Sequence, residues 1–380
     1  MARKAIICEY HTWDSIFRIG NHHYARELIA GGWDVLWISH PVSPIHGVKK
    51  ENADRMAIAR SVPVRHTNGP LEYIPLTNLP FLNKPFLNSI WVLDNTLNMT
   101  SPSVKNVLEK TGFAAPDLLW ITDTSMHSIT GMVNPGKLAV RIADDNTRFR
   151  EMPGSLRYAE KKLCEKADTI FVTSSPLYES HHETYGGKVH LLRNGVQYEH
   201  FQGEYERPEE FRGIENPIAI YVGAIEEWFN VRWIEKLASE RKNISIILIG
   251  LVDRDLHNLK KFDNVHILGP RPYRSIPAYL NHADCGIIPF HRTELVESVS
   301  PIKLFEFFAS GLPVVTTSWN ELESLGSPAT LCNSIDEFVA NVSKAIDDKM
   351  KKSNGEKYRE YAKGNSWHAR FSEAMNVLGF

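Results

Sequence analysis

The feature that most constrains the fold is an alternation of short apolar runs with amphipathic segments, which restarts once along the chain. The first series of apolar runs comprises residues 4–8, 34–39, 71–76, 117–122, 138–143, 169–173 and 189–192. The second series comprises residues 218–222, 244–249, 265–268, 285–289 and 313–316. Continuous apolar strands that alternate with helices indicate parallel sheets covered on both faces. The pattern therefore predicts an α/β protein with two Rossmann-like domains.

A polar stretch separates the two series. Residues 203–217, GEYERPEEFRGIENP, combine charge, Gly and Pro with few apolar side chains, which is typical of a linker. A chain of 380 residues, 43% of them hydrophobic, suits two domains of ordinary size. We therefore expect domains over residues 1–203 and 204–364, followed by a terminal segment over residues 365–380. Doubly wound domains bind ligands at the carboxyl ends of their strands, so if those edges of the two domains face each other, the cleft between the facing domains can hold ligands on both sides.

Composition excludes several classes of protein. The formal net charge is −2, without the basic excess expected of a nucleic-acid-binding protein. The four cysteines are scattered, with none of the close spacings of a zinc site or a redox pair, which fits a reducing cytosol. The N-terminal apolar run is too short for a signal peptide, and no apolar stretch approaches the roughly 20 residues that span a bilayer. We expect a cytoplasmic protein that could act at the inner face of the membrane.

The most informative motif is VESVSPIKLFEFFASGLPVVT, residues 296–316. Ser300 and Pro301 lie at the start of a predicted helix, where Pro301 suits the first helical position, and the free N–H groups of a helix start attract phosphate. Lys303 adds a positive charge in the first turn, and Glu306 follows on the same face, where a carboxylate could accept hydrogen bonds from ribose hydroxyls. The alternative is an ordinary amphipathic helix with an internal Lys303–Glu306 pair.

This segment resembles the donor-binding helix of group 1 glycosyltransferases with the GT-B fold, especially those of bacterial surface-polysaccharide pathways. Residues 264–290, NVHILGPRPYRSIPAYLNHADCGIIPF, are similar to the strand, base-binding loop, helix and strand that precede that helix in the family. RNGV at residues 193–196 and SW at residues 366–367 match the end of the first domain and the start of a helix that crosses back to it. The family has a Glu eight residues before its counterpart of Glu306 in many retaining members, whereas this chain has Ser298 there and Glu297 beside it, which leaves the stereochemistry open.

The resemblance implies a nucleotide-sugar site with no cofactor and no metal ligand, and a UDP-sugar is favoured over a GDP-sugar. The residues that it places at the donor are Gly223, Arg271, Tyr273, Phe290, Ser300, Ile302, Lys303 and Glu306. Gly223 ends the first strand of the second domain, where the backbone must pass close to a phosphate or form a plain tight turn. Arg271 and Tyr273 would meet the nucleobase, or else build a structural turn.

The first half is similar to xanthan-type glucuronosyltransferases. RIGNHH at residues 18–23 resembles their acceptor-side loop, which places Arg18, Gly20, His22 and His23 at the acceptor. KLAVRIAD at residues 137–144 resembles the strand that ends in the catalytic Asp of those inverting enzymes. By this likeness Asp144 is the general base that deprotonates the acceptor hydroxyl. The alternatives are that the two histidines pack in the interior or lie on the surface, and that Asp144 or Asp145 caps the next turn.

One motif favours a different kind of transferase. Asp253-Arg254-Asp255 follows an apolar run and has the Asp-x-Asp form with which single-domain GT-A enzymes hold a metal. The motif lies in the middle of the second βα series, where two Asp residues also suit a helix start.

The sequence therefore predicts transfer of a glucuronosyl or other hexosyl unit from a nucleoside diphosphate to a glycan or lipid-linked acceptor, without metal. A sugar-nucleotide epimerase of the same fold and a non-catalytic nucleotide-sugar-binding module are the alternatives. The loop at residues 79–91, LPFLNKPFLNSIW, and the basic residues Lys49, Lys50, Arg55, Arg60 and Arg65 offer peripheral contact with a membrane. The alternatives are that the loop is a buried connection and that the basic residues form a solvated face.

Overall fold

The fold comes from a computed structural model, which describes residues 2–15, 18–44, 56–57, 59, 62–144, 153–214, 217–350 and 355–380. Contacts divide the chain into two compact units. Unit 1 comprises Met1–Thr173, Leu177–Leu192 and Glu373–Phe380, and unit 2 comprises Ser174–Pro176 and Arg193–Ser372.

Unit 1 is built around an eight-stranded sheet. Its strands are β1 (Lys4–Glu9), β2 (Asp34–Ser39), β3 (Val64–Arg65), β4 (Leu71–Tyr73), β7 (Leu118–Ile121), β8 (Lys137–Ile142), β9 (Thr169–Val172) and β10 (Val189–Leu191), while β5 (Leu76–Thr77) and β6 (Thr100–Ser101) form a separate pair. The spatial order is β10-β9-β8-β7-β1-β2-β4-β3, in which the edge strand β3 pairs antiparallel with β4 and the other described pairs are parallel. The order reverses between β1 and β7, which makes the carboxyl ends of those strands a ligand-binding crevice by the general rule for open α/β sheets.

Unit 2 has a six-stranded, fully parallel sheet. Its strands are β11 (Ile218–Val222), β12 (Ser245–Ile249), β13 (Val265–Gly269), β14 (Cys285–Ile288), β15 (Val314–Thr317) and β16 (Thr330–Cys332). They lie in the order β13-β12-β11-β14-β15-β16, so the reversal falls between β11 and β14. This is the strand order of a dinucleotide-binding Rossmann fold.

Helices connect the strands and cover the sheets. In the described part of the chain, the α-helices are Gly20–Ala30, Ile90–Asn95, Val104–Thr111, Gly154–Lys166, Ser175–Tyr185, Val231–Glu240, Ile276–Asn281, Glu294–Glu297, Ile302–Ala309, Asn320–Ser324, Ile335–Met350, Gly355–Gly364 and Trp367–Leu378. Short 3₁₀ segments occur at Thr96–Met99, Thr124–Gly131, Gly186–Lys188, Tyr198–Phe201, Glu209–Phe211, His257–Lys261 and Tyr273–Ser275.

Apolar burial explains why these segments fold as they do. The central strands β7, β9, β12 and β14 are buried along their whole length, which accounts for the continuous apolar runs in the sequence. All four cysteines are buried free thiols.

Two boundaries differ from those that the sequence suggests. The units divide at Leu192 and Arg193, before the predicted boundary, and the polar stretch belongs to unit 2 because Phe211 is fully buried in that unit's core. The helix Trp367–Leu378 begins among unit 2 residues, while Glu373–Phe380 packs with unit 1, where Phe380 meets Trp33 at 5.0 Å between ring centroids.

Candidate functional site

The strand reversal in unit 2 gathers several of the predicted donor residues. Gly223 directly follows β11 and Phe290 lies two residues beyond β14. The helix Ile302–Ala309 carries Lys303, whose ammonium lies 5.4 Å from the ring centroid of Tyr221 and 4.7 Å from that of Phe290. The crevice that the topology predicts is therefore the place where this helix begins.

Ser300 leaves an unpaired hydroxyl at the start of that helix. Its backbone carbonyl accepts a hydrogen bond of 2.7 Å from the Asn194 side chain, which fixes the loop before the helix. The residue is only 5% exposed, and its Oγ has no hydrogen-bond partner among the described residues. Leaving a buried hydroxyl without a hydrogen-bond partner lowers the stability of a protein by about 1–3 kcal/mol. The Ser300 hydroxyl is therefore suited to donate a hydrogen bond to an oxygen of a bound ligand. Pro301 occupies the N-cap and Ile302 the first helical position, one residue later than the sequence suggests.

Lys303 and Glu306 do not form the ion pair that was the structural alternative. Within the described part of the chain, no carboxylate oxygen lies within 4.0 Å of the Lys303 ammonium. Burial lowers the pKa of Lys303 to about 8, against a weaker raising effect of Glu306. Burial likewise raises the pKa of Glu306 to about 7, against the attraction of Lys303. Two ionisable groups are thus held side by side at a desolvation cost that an ionic ligand would offset.

Two glycines make room for the lysine. Gly223 has a φ of +149°, and a Cβ there would lie 2.6 Å from Lys303 Cε and 3.1 Å from its Nζ. Gly250 has a φ of +154°, and its Cβ would come within 1.8 Å of the Gly223 carbonyl oxygen. Only residues without a side chain allow this approach of two strand ends and a lysine.

Phe290 and the loop after it are rigidly supported. The Phe290 ring stacks on Trp319 at 5.7 Å between centroids, and Trp319 Nε1 donates to the Val299 carbonyl at 2.9 Å. Glu297 accepts hydrogen bonds from Arg292 at 2.7 Å and from the Asn320 backbone at 2.8 Å. Glu297 therefore braces this loop.

Ser298 occupies the place eight residues before Glu306. Its hydroxyl donates to the Leu295 carbonyl at 3.1 Å, so this position supplies a local hydrogen bond and no carboxylate.

Arg271 and Tyr273 lie in the loop after the edge strand β13. Arg271 donates to the Leu268 carbonyl at 2.7 Å and to the Tyr279 hydroxyl at 3.0 Å, and it pairs with Glu210 at 3.1 Å. The Tyr273 ring stacks on His200 at 4.7 Å. These contacts shape the loop, and nucleobase binding by the two residues remains a prediction.

The Asp-x-Asp motif makes local contacts. Asp255 Oδ1 accepts the His257 backbone N–H at 2.8 Å, and Arg254 donates to the carbonyls of Glu226 and Phe229. In the described ranges, no group of three or more His, Cys, Asp or Glu residues is arranged to hold a metal ion.

In unit 1, Asp144 lies two residues beyond β8 and is exposed, while Asp145 falls outside the described residues. Arg141 on the same strand is buried, with its guanidinium 5.7 Å from the Tyr24 ring centroid. The position of Asp144 at the carboxyl edge is compatible with a base, and its role remains a prediction.

The predicted acceptor residues lie at the start of the helix Gly20–Ala30. His22 is buried, its Nε2 lies 3.1 Å from the Thr12 carbonyl, and its ring packs 4.7 Å from Trp37 and 5.6 Å from Trp13. Burial lowers the pKa of His22 to about 3, so this imidazole is neutral. Gly20 and His23 are also buried, and Arg18 donates to the Trp13 carbonyl. Acceptor binding by these four residues remains a prediction.

Sequence reasoning missed a polar cluster at the strand reversal of unit 1. His40 Nδ1 lies 2.8 Å from Asp123 Oδ2, and Glu9 accepts a 2.6 Å hydrogen bond from Asn21. No motif marks these residues. The available signal is that Glu9 and His40 are the first residues after two apolar runs, where side chains reach the carboxyl edge of a sheet.

The Pro-rich loop at residues 79–91 is partly exposed. Phe86 is 65% and Trp91 56% exposed, with their ring centroids 6.3 Å apart. Lys49, Lys50, Arg55 and Arg60 lie outside the described residues, and Arg65 pairs with Asp34 at 2.9 Å. Among the described residues no helix combines the length and hydropathy needed to cross a bilayer.

Known proteins are similar to this chain in sequence. Residues 216–348 match the family model described as "Glycosyl transferases group 1". The putative teichuronic acid biosynthesis glycosyltransferase TuaH of Bacillus subtilis (strain 168) is 27% identical over 238 residues. That match covers 59% of this chain and 60% of the relative's length.

Solved structures share the whole fold. A glycosyltransferase from Rickettsia africae ESF-5 superposes with a TM-score of 0.67 at 13% identity. HepE of Anabaena, in complex with UDP and glucose, superposes with a TM-score of 0.69 at 12% identity. Each match covers 99% of both chains. The UDP-forming trehalose-phosphate synthase of Burkholderia xenovorans, in complex with glucose-6-phosphate, superposes with a TM-score of 0.71 at 11% identity. This match covers 100% of both chains. The fold is therefore GT-B, with two Rossmann-like units and parallel sheets, as the sequence predicts.

Proposed function

We propose that the protein transfers a sugar from a nucleoside diphosphate to a hydroxyl of a glycan or lipid-linked acceptor, because residues 216–348 match the family model of group 1 glycosyltransferases and the chain has the GT-B fold. The observation that carries this proposal is the start of the helix Ile302–Ala309. There an ammonium without a carboxylate partner and an unpaired buried hydroxyl meet at the strand reversal of unit 2.

The diphosphate is the ligand that this site suits. Partial positive charge at a helix N-terminus, the Ser300 hydroxyl and the Lys303 ammonium would together offset the charge that builds on the leaving group. Glu306, one turn along the helix, would accept hydrogen bonds from the ribose. In this mechanism Lys303 and the helix start take the place of a divalent cation, so we propose metal-independent transfer.

A UDP-sugar is the proposed donor. HepE, which shares the fold, is described in complexes with UDP-glucose and with UDP. TuaH is described as a teichuronic acid biosynthesis enzyme, and by analogy we assign this chain to the synthesis of a cell-surface polysaccharide. The transferred unit would be a glucuronosyl or another hexosyl group.

Acceptor chemistry would come from unit 1. Asp144 would take the hydroxyl proton as the acceptor oxygen attacks the anomeric carbon and the bond to the diphosphate breaks. The nucleoside diphosphate leaves with the bonding electron pair.

Calorimetry with UDP and UDP-glucose in the presence of EDTA tests the donor site. Lys303→Ala and Ser300→Ala should each weaken binding, because each removes a group that would contact the diphosphate. Loss of a hydrogen bond to a charged group costs about 1.5–3 kcal/mol, which is roughly tenfold to a hundredfold in affinity.

Lys242→Ala, an exposed lysine of the same unit, is the matched control and should bind as the wild type does. Unchanged affinity in both site variants would remove the basis of the proposal. Loss of binding in EDTA with recovery in Mg²⁺ would contradict the metal-independent mechanism.

A further inference from the structure

The unit 2 sheet has a cavity of about 170 Å³ at the edge where its parallel strands begin. The cavity is lined by Gly311 and Pro313, which precede β15, and by Thr330, the first residue of β16. Residues of the helices Ile335–Met350 and Gly355–Gly364 also line it. We call it the amino-edge cavity.

The amino-edge cavity is separate from the proposed donor site. The donor residues lie at the carboxyl ends of β11 and β14, whereas the cavity lies at the opposite edge of the sheet. The helix Ile302–Ala309 begins at the donor site and ends two residues before Gly311. A helix of that length spans about 12 Å, so a small ligand in the cavity does not reach the donor site.

Two glycines of the cavity make room for the guanidinium of Arg359. A Cβ at Gly311 would lie 2.6 Å from Arg359 Cζ, and a Cβ at Gly355 would lie 2.9 Å from Nη1. Arg359 is exposed, and its Nη2 lies 3.5 Å from the Ser310 carbonyl oxygen, a contact that engages one of its N–H donors. Among the described residues, no carboxylate oxygen lies within 4.0 Å of this guanidinium. A guanidinium with donors to spare and no carboxylate partner suits bidentate binding of a phosphate group.

Three lysines add positive charge to the same cavity. Lys344 and Lys357 line it and are exposed, and in the part of the chain that the structure describes neither has a carboxylate oxygen within 4.0 Å. The Lys357 ammonium lies 4.7 Å from the ring centroid of Tyr358, another lining residue, which places this charge beside the cavity. Lys349 lies 3.7 Å from Asp284, yet burial lowers the pKa of Lys349 despite that carboxylate. The surroundings therefore hold too little negative charge to offset the desolvation of this ammonium.

Charge and size together limit the ligand. Arg359 and the three lysines outnumber the two carboxylates, which are Asp348 in the lining and Asp284 beside Lys349, so positive charge predominates. Sites for drug-sized ligands commonly enclose about 300–1,000 Å³. A cavity of about 170 Å³ is too small for a nucleotide-sugar and suits a phosphate group that carries at most a few further atoms.

We propose that the amino-edge cavity is a second ligand site, which binds a phosphate group through Arg359, Lys344 and Lys357. The ligand is inorganic phosphate or a small phosphate monoester, and the two share the dianionic group that these side chains recognise. This inference goes beyond the proposed transfer reaction and does not depend on it, because none of these residues belongs to the donor site.

Calorimetry on the Lys303→Ala variant tests the cavity, because this variant lacks the lysine through which phosphate could bind at the donor site. The probes are inorganic phosphate and glycerol 3-phosphate, with glycerol as the uncharged counterpart. We expect a phosphate probe to bind with a Kd of about 1 mM or below, and glycerol not to bind. Tighter binding of glycerol 3-phosphate would identify a monoester as the ligand, and tighter binding of inorganic phosphate would identify the free ion.

Further substitutions in the Lys303→Ala protein locate the bound phosphate. Arg359→Gln removes the guanidinium and Thr330→Glu places a carboxylate in the cavity, so each should weaken binding by about tenfold or more. Thr330→Gln has the size of the glutamate variant without its charge, and Lys363→Gln alters an exposed lysine on the helix of Arg359; both should bind as the parent does. The inference is overturned if neither phosphate probe binds, if glycerol binds equally well, or if Arg359→Gln and Thr330→Glu retain the affinity of their controls.

Discussion

At the scale of single residues, the proposed donor site contains two groups whose pKa values burial brings close to neutral pH. Lys303 and Glu306 are three positions apart on one helix and could have neutralised each other. They lie near each other without forming an ion pair, and burial shifts their pKa values toward each other, to about 8 for Lys303 and about 7 for Glu306. The ammonium and the carboxylate are therefore both charged only within a narrow range of pH, and we propose that a nucleotide needs both charges.

Donor affinity should therefore have a maximum between about pH 7 and 8. The pKa of Lys303 is lowered, so the free protein loses this positive charge as pH rises through about 8, and binding of an anionic diphosphate weakens above that value. The pKa of Glu306 is raised, so it becomes neutral as pH falls through about 7, and its hydrogen bonds to hydroxyl groups lose their charge assistance. UDP-glucose affinity measured by calorimetry from about pH 6 to 9 should show both limbs.

Each limb has its own control. Lys303→Met should abolish the alkaline limb along with most of the affinity, whereas Glu306→Gln should abolish the acid limb and leave the alkaline one. A flat profile in the wild type would show that neither side chain contacts the donor.

At the scale of elements, the strand and helix pattern of the sequence predicts most of the framework. The apolar runs at residues 218–222 and 285–289 become β11 and β14, because central strands buried on both faces need continuous apolar sequence. The run at residues 71–76 is divided instead: β4 ends at Tyr73, Pro75 interrupts the pattern, and β5 pairs elsewhere. The edge strand β16 was not predicted, because its three residues carry too little periodicity.

For the candidate site, too, the sequence predicts residues that lie close together along the chain and misses those that only strand pairing brings together. The sequence indicates Ser300, Lys303 and Glu306 because a helix-start signal, two charged residues and a helix-stop signal lie within one short segment. Asp123 and His40 lie 83 positions apart, and only the parallel pairing of β2, β1 and β7 brings them together. No local pattern could predict such a pair.

The loop at residues 79–91 allows a prediction about membrane contact. Phe86 has a φ of +68°, a strained conformation for a residue with a side chain, and it displays its ring to solvent next to Trp91. The segment from residue 73 to 93 contains no acidic residue, and Lys84 is exposed within it. Aromatic rings beside a lysine suit the interface of an anionic bilayer. The wild type should float with vesicles containing phosphatidylglycerol, and Phe86→Ser with Trp91→Ser should reduce binding by about tenfold or more.

Met99→Ser, which removes another exposed apolar side chain of unit 1, should float as the wild type does. If the wild type stays with the unbound fraction, or if the double variant floats equally well, the loop has no part in membrane contact.

At the scale of the whole molecule, the chain uses one topology twice. In both sheets the first strand lies between the second and the fourth of the parallel series, and the polar residues collect at that reversal. Unit 2 brings a lysine and a helix start to its reversal, whereas unit 1 brings carboxylates, an imidazole and a tyrosine. The two crevices thus have opposite electrostatic character, which suits one to a diphosphate and the other to a hydroxyl-bearing ligand.

This division of chemistry predicts that proton transfer and donor binding can be separated by mutation. Asp144 belongs to unit 1, whereas Gly223, Ser300, Lys303 and Glu306 all belong to unit 2. Asp144→Asn keeps the size of the side chain but cannot accept a proton, and loss of a general base costs about 10²–10⁴ in rate, so kcat for transfer should fall by that factor. UDP affinity should be unchanged, because no donor group is altered. Lys303→Ala, in contrast, should weaken UDP binding, so each variant serves as a control for the other. If Asp144→Asn transfers sugar at the wild-type rate, or if NMR shows that the product keeps the donor's anomeric configuration, Asp144 is not an inverting base and the proton must leave by another group.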